Sequence, residues 1–358
     1  MLQQSLFVAW VVGGGLWAGT TPIEAMPYFA RKYDVTCATC HVMPPKLNLT
    51  GWQFAMNGYR WEGRAEQPTL PFAVWTTGRS EDRRSAGLGE NYLQKVQIIA
   101  GGRLSRDTAY FVEWLPQNKV LIGPGRFQGG HRRFEDLFIV NSLSPTTTLT
   151  VGQFPLASQV DTSYRLSVSE PLALSAEVDG FAPSGCRPAV RLEVARLKAG
   201  GTNVDGDFYA LALPLRGEIT LNDQFTLSTH LEGVFLQGYR RRGLNTVGGF
   251  AFLDDDRKIY GVVGTYHRGR WFSTLIAAIA DGATKNDTRL SWENEYLLSR
   301  AVMVGWRWDR QSKTAHPNAF VPYINIAFPL TRWTVRLQYE RRQQPGDKQE
   351  VIDISVIF

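Results

Sequence analysis

The chain has 358 residues, enough for a large core, and length alone would divide it into about two units of roughly 150 residues unless it is one large β barrel. Its 44% hydrophobic and 20% charged content describes a globular protein, and beyond residue 25 there is no run of the ~18 apolar residues that a spanning helix needs. The net charge of +6 is spread along the chain and alternates with acids, so it gives no one-sided basic face of the kind that binds nucleic acid.

The first element is an apolar run from Leu6 to Ala18, followed by a small-residue cleavage point after Ala25, and residues 1–25 read as a signal peptide. They contain no Lys or Arg, so the segment is either removed or kept as an anchor; both take the chain out of the cytoplasm. Removal takes away only Glu24 among the charged residues, making the mature chain +7. In an oxidising compartment a Cys37–Cys40 disulfide would leave one of the three cysteines over.

Cys37-Ala38-Thr39-Cys40-His41 is a C-x-x-C-H motif. Two thiols at this spacing reach the two vinyl groups of one haem, and the histidine after the second sits under the iron as proximal ligand. The competing readings lack their context: a redox C-x-x-C wants a βαβ unit, and a zinc site wants a fourth ligand nearby. Cys186 then stands alone and reads as a loop thiol.

Pro45 to Asn57 reads as a helix, with Pro45 suited to its first position and Gly58 to its stop. Leu47, Gly51 and Phe54 share one face; Leu49, Trp52 and Met56 share the other, so the helix is expected to be sandwiched between haem and protein. Met56 is the best-placed thioether for the distal iron position, with simple packing as the alternative; Met43 is too close to His41 to fold over the other haem face. His230 falls in a strand-like run, and His131, His267 and His316 in loops or turns. Residues 26–67 are too few to be stable alone, so covalent haem and packing against the rest of the chain are both expected to hold them.

From residue 68 to 358 the period is two. Trp333, Val335, Leu337 and Tyr339 alternate with Arg332, Thr334, Arg336, Gln338 and Glu340; Leu290, Trp292, Tyr296 and Leu298 oppose Ser291, Glu293 and Glu295; Phe225, Leu227 and Leu231 oppose Thr226, Ser228, His230 and Glu232. A sandwich alternates too, so period alone does not choose. About sixteen strands start near 70, 91, 107, 133, 146, 188, 206, 225, 244, 258, 271, 289, 301, 319, 332 and 348. Their connections alternate, short (Ser144 to Thr146, His267 to Arg270, Ser299-Arg300, Pro329 to Thr331) and long (Gln117 to Arg132, Pro155 to Arg187, Asp281 to Thr288, Arg310 to Asn318, Arg341 to Lys348). Short turns on one side and long loops on the other are expected of an outer-membrane barrel. The last strand, Ile352, Ile354, Val356 and Phe358 alternating with Asp353 and Ser355, resembles the aromatic-ended signal of such barrels. The fold class read from the sequence is therefore mainly β, an antiparallel transmembrane β-barrel of about 16 strands with a short helical N-terminal c-type haem segment. Val151 to Pro155 leads into the longest connection, which reads as a constriction loop. Asp254-Asp255-Asp256 offers hard oxygens to a divalent cation, or is a solvated acidic turn.

Phe29 to Tyr33, Cys37 to His41, Leu47-Asn48, Gly51, Phe54 and Asn57-Gly58-Tyr59 together resemble the N-terminal segment of fused monohaem cytochrome-porins of the bacterial outer membrane. The resemblance covers about thirty-five residues tightly and the barrel by architecture. It implies one covalent haem c plugging the lumen and electron transfer from an extracellular donor, of which Fe(II) is the best-known, to a periplasmic c-type cytochrome. The same parts could run electrons outward, or form a solute porin with a structural or sensing haem. The family's helix face of Leu47, Gly51, Phe54 and Gly58 does not include Met56.

Overall fold

The computed structural model describes residues 27–358 apart from 57–58, 60, 62, 68–69, 71, 84–87, 122–132, 158–165, 168, 176–177, 180, 201–202, 216–229, 283–285, 313–317, 330–333, 345–346 and 358. The expected signal peptide, His131, His316, Gly58, Arg332, Trp333, Phe358 and the run from Phe225 to Ser228 lie outside the described residues.

The N-terminal segment is built of short pieces: helix α1 (Pro27–Tyr33), helix α2 (Cys37–Cys40), a two-stranded ladder of β1 (His41–Met43) and β2 (Lys46–Leu47), and helix α3 (Leu49–Met56). Asp34, at φ 50°, ends α1, and the Val35 N–H closes onto the Ala30 carbonyl at 2.9 Å. The helix expected over Pro45 to Asn57 starts later, because Lys46 and Leu47 pair with the His41–Met43 strand across the Pro44–Pro45 turn. Its N-cap is Asn48, whose Oδ1 accepts the Gly51 N–H at 3.0 Å.

Among the described residues sixteen strands follow. They are β3 (Phe72–Arg83), β4 (Leu88–Arg103), β5 (Thr108–Leu121), β6 (Arg133–Ser144), β7 (Thr147–Pro155), β8 (Cys186–Gly200), β9 (Asn203–Pro214) and β10 (Val234–Arg242). The second half comprises β11 (Asn245–Leu253), β12 (Arg257–Arg268), β13 (Trp271–Gly282), β14 (Asn286–Ser299), β15 (Val302–Gln311), β16 (Asn318–Pro329), β17 (Thr334–Gln344) and β18 (Asp347–Ile357). Each pairs antiparallel with its neighbours in the sequence, and β18 pairs with β3, so the sheet closes without an edge.

The barrel is polar inside and apolar outside. On β14, Ser291, Glu293 and Glu295 are buried while Trp292, Tyr296 and Leu298 are 42 to 49% exposed. On β17, Thr334, Arg336, Gln338 and Glu340 are buried. A water-soluble barrel would reverse this; charge inside and grease outside is the pattern of a wall meant for lipid. The inward charges satisfy one another, with Arg289 Nε on Asp287 at 3.0 Å and Arg307 Nε on Asp309 at 2.8 Å, as buried ions must.

The described residues of the connection from Pro155 to Cys186 bond to inward-facing side chains of the barrel, as a constriction loop does. Its carbonyl at Leu166 accepts from Asn325 Nδ2 (2.7 Å) and Gln338 Nε2 (2.6 Å). The Arg307 guanidinium donates to Ser169 O at 2.7 Å, and the one-turn helix α4 (Leu172–Ser175) donates from the Ala173 N–H to Ser291 Oγ. Phe181 stacks on Phe252 with centroids 3.6 Å apart. The chain enters the loop past Gly152, whose φ of 138° and contact with Phe138 leave no room for a side chain.

Several expectations need correction. The strand expected near 225 starts outside the described residues, and the described strand that follows β9 is β10 at Val234; Leu231 makes an isolated bridge to Leu215, and His230 is exposed. His267 lies on β12 and not in a turn, packed on Phe272. Cys186 opens β8. One connection read as long is a hairpin of continued strand, since β17 reaches Gln344 and pairs there with Asp347 of β18; β5 runs on to Leu121, and residues 122–132 after it lie outside the described residues. Long polar strands that outlast the apolar band look like loops to a hydropathy reading.

Candidate functional site

Ordinary peptide chemistry brings α2 and α3 together. The Asn48 side chain donates from Nδ2 to the carbonyls of Ala38 (3.0 Å) and Thr39 (3.1 Å), while its backbone N–H donates to Cys40 O at 2.9 Å. One residue therefore satisfies orphan carbonyls of α2 and, through the Gly51 N–H, one of the first amides of α3. Gly51 lets the helices approach: a Cβ there would run into the Cys40 carbonyl and stand 2.8 Å from Leu47 Cδ2.

The segment is held by inward-facing side chains at the end of the barrel where the short turns lie. Arg31 donates to Phe72 O at 3.0 Å at the start of β3. Phe29 and Tyr59 stack on Phe111 of β5, at 6.4 and 4.5 Å between centroids, and Tyr59 reaches Phe138 of β6. Across the lumen Lys46 forms a salt bridge with Glu295 of β14, Trp52 lies under Arg241 of β10, and Met43 is buried with Leu166, Phe272, Met303 and Tyr323. Aromatic pairs of this kind contribute about 0.5–1.5 kcal/mol each beyond their area.

Between segment and wall is an apolar hollow, open on one side. Phe29, Tyr33, Leu47, Phe54, Tyr59 and Trp61 line it from the segment; Trp75, Ile99, Phe111, Thr334 and Ile357 line it from the barrel, with the facing carboxylates of Glu113 and Asp136. Cys37, Cys40 and His41 all border it. The two thiols are not joined to each other, and Cys37 Sγ is 4.0 Å from Thr334 Oγ1. Burial pushes the Cys40 thiol up to about 11.

The His41 ring is oriented by Nδ1, 3.1 Å from the Pro45 carbonyl oxygen. That contact places the proton on Nδ1 and leaves Nε2 as the basic nitrogen. Burial lowers the imidazole to about 4, so it is neutral at physiological pH. Two thiols and a neutral imidazole with a fixed tautomer therefore meet one apolar hollow.

The other singled-out residues divide. Met56 closes α3, and its side chain lies outside the described residues. Met43 is turned away from the hollow into the wall. Cys186 is 4.0 Å from Asp136 Oδ1, beside the hollow's polar corner. Asp254 is held by Arg257, at 2.6 Å, within the turn between β11 and β12; Asp255 and Asp256 are exposed. Asn48 was legible as a cap had the Pro45 start not taken precedence; the barrel residues of the hollow carry no local signal.

No protein-family model matches the sequence, and no curated protein matches it. Solved structures do. OmpF of Salmonella typhi, in complex with daunomycin, superposes with a TM-score of 0.55 at 12% identity, covering 80% of this chain and 97% of that one. The barrel has a porin fold. A loop-deletion mutant of OmpT, an outer-membrane protein of Vibrio cholerae, gives 0.52 at 9% identity over 81% and 99% of the two chains, and the anion-selective porin from Comamonas acidovorans 0.51 at 9% over 80% and 98%. The porin fold accounts for the closed sheet and for about four-fifths of this chain, and at these identities the likeness is one of fold alone.

Proposed function

We propose that this protein is an outer-membrane cytochrome-porin that moves electrons from an extracellular donor, Fe(II) foremost, to a periplasmic c-type cytochrome or similar carrier through one covalent haem c. The observation that carries the reading is the convergence of Cys37, Cys40 and a tautomer-fixed His41 on an apolar hollow closed by barrel residues. The hollow's apolar lining fits a porphyrin face, and the donor set fits covalent attachment at two thiols with an imidazole to hold the iron. Haem c, when bound, supplies one-electron exchange between ferrous and ferric iron.

The chain's own residues do the rest. Cys37 and Cys40 would carry the thioether bonds, and His41 would present Nε2 to iron while Pro45 O holds its ring. Phe29, Phe54, Tyr59 and Phe111 exclude water, which favours the less charged redox state. Met56, at the end of α3, is the candidate distal ligand. The barrel seats this segment at its short-turn end, which faces the periplasm in outer-membrane barrels, and carries the long connections at the other.

Stopped-flow mixing of the haem-loaded protein with Fe(II), followed in the haem spectrum, tests the reading. Reduction is expected; no reduction at neutral or acidic pH sinks an Fe(II) donor. The porin fold supports a second reading, a solute pore with a structural haem segment. Planar-bilayer conductance separates them: the lumen is crossed by both the N-terminal segment and the 155–186 connection, so the conduit reading expects conductance far below that of an open pore.

A further inference from the structure

The two ends of the barrel differ in charge. At the short-turn end, Arg103 and Arg106 sit at the β4–β5 turn, Arg268 and Arg270 at the β12–β13 turn, and Arg300 at the β14–β15 turn, all exposed. Arg64 adds to them from the N-terminal segment itself, exposed, over the Trp61 ring and donating to Tyr33 O at 3.3 Å. Arg103 lies within electrostatic reach of the same tyrosine. Exposed acids described at this end are Asp34, Glu66 and Asp107, and Glu66 is engaged by Lys32 at 3.2 Å. At the long-loop end the described exposed charges are mixed: Asp82, Asp255, Asp256 and Asp281 against Lys258, Arg310 and Lys348. The turns that carry the arginines lie on opposite sides of the barrel's end, the N-terminal segment is held between them at β3 and β14, and Thr36 and Ala38 beside its cysteines are exposed.

We infer that this arginine rim is a docking face for an acidic soluble electron carrier, steered onto the exposed turn of the Cys37–Cys40 helix. The inference rests on the electron-conduit reading and adds the surface and the charge of the partner. A ring of fixed positive charge around a small contact point raises encounter rates with an anionic partner and orients it. Lipid headgroups would be the other anionic neighbour, but Arg64 belongs to the segment seated within the ring of turns, where a partner from the periplasm arrives and headgroups do not.

The test uses the full haem-loaded protein in nanodiscs. A small acidic c-type cytochrome is the probe and a basic one the control; binding is read by biolayer interferometry and electron transfer by stopped flow. The acidic probe's association rate is expected to fall at least about tenfold as salt rises through the range where the Debye length shrinks from ~30 to ~8 Å, while the basic probe's does not. Replacing Arg64, Arg103 and Arg106 with Glu should give a similar loss at low salt, and the milder Gln replacements a smaller one in the same direction. Unchanged association in both sets overturns the inference. So does a loss of adhesion to anionic-lipid vesicles with the acidic probe unaffected, which would make the arginines headgroup anchors. Haem content is measured first: a chain without haem defeats the conduit reading, and the binding measurement, which needs no electron to move, still decides the docking face.

Discussion

Gly51→Ala is the sharpest perturbation of the segment. The added Cβ would lie 2.8 Å from Leu47 Cδ2 and 3.0 Å from the Cys40 carbonyl carbon, and closer still to its oxygen, where ordinary contact begins near 3.4 Å. The Leu47 methyl can rotate away through the missing 0.6 Å (3.4 less 2.8). The Cys40 carbonyl cannot, because it accepts the Asn48 N–H at 2.9 Å and its residue borders the hollow. Overpacking costs about 1–3 kcal/mol, a lost hydrogen bond about 1, and alanine's better helix propensity returns about 1. A net cost near 2 kcal/mol shifts the docked segment toward its loosened form about 30-fold. The barrel's sixteen-strand ladder is untouched, so the variant is expected to keep the heat-modifiable gel migration of a folded barrel while its covalent haem per chain, read by pyridine haemochrome absorbance, falls several-fold. Wild-type loading with a wild-type spectrum would show that the α2–α3 contact does not shape the site.

Other consequences follow from the same geometry. Asn48→Ala removes a cap and two donors to α2, and should cost about 1–2 kcal/mol and lower haem loading; Asn48→Asp, which keeps the cap acceptor but loses the donors, should fall between, and equal loading in all three would refute the stapling role. Lys46→Met leaves Glu295 buried without its cation, a change that costs about 3–5 kcal/mol in comparable sites; thermal unfolding should shift down, with a double Lys46→Met, Glu295→Gln variant recovering much of it. In unloaded protein, site-resolved alkylation of Cys40 should stay slow at pH 8.5 and rise as pH approaches about 11, since only the thiolate reacts; rapid labelling at pH 8 would mean that the thiol is not buried.

The parts of the fold that could be read from the sequence are those set by local chemistry. Alternation along Trp333 to Glu340 and Leu290 to Leu298 marked strands with one charged and one apolar face, and strand spacing gave the barrel's size. The long Pro155 to Cys186 connection announced an inward loop. The failures were also physical. Pro45 looked like a helix start because the two-residue β2 strand is too short to leave a period. Within the site, Cys37, Cys40 and His41 could be singled out in advance because their spacing is the one that covalent haem attachment would demand. Trp75, Glu113, Asp136 and Thr334 could not, because barrel closure brings them to the hollow from strands that are far apart in the chain.

An electron conduit here requires haem at Cys37 and Cys40. Expression with a cytochrome c maturation system, followed by mass spectrometry of the peptide that contains both cysteines, tests this most directly. One haem bonded through both sulfurs, lost in Cys37→Ala and Cys40→Ala, is the predicted result. A correctly folded barrel whose peptide carries two unmodified thiols would contradict it.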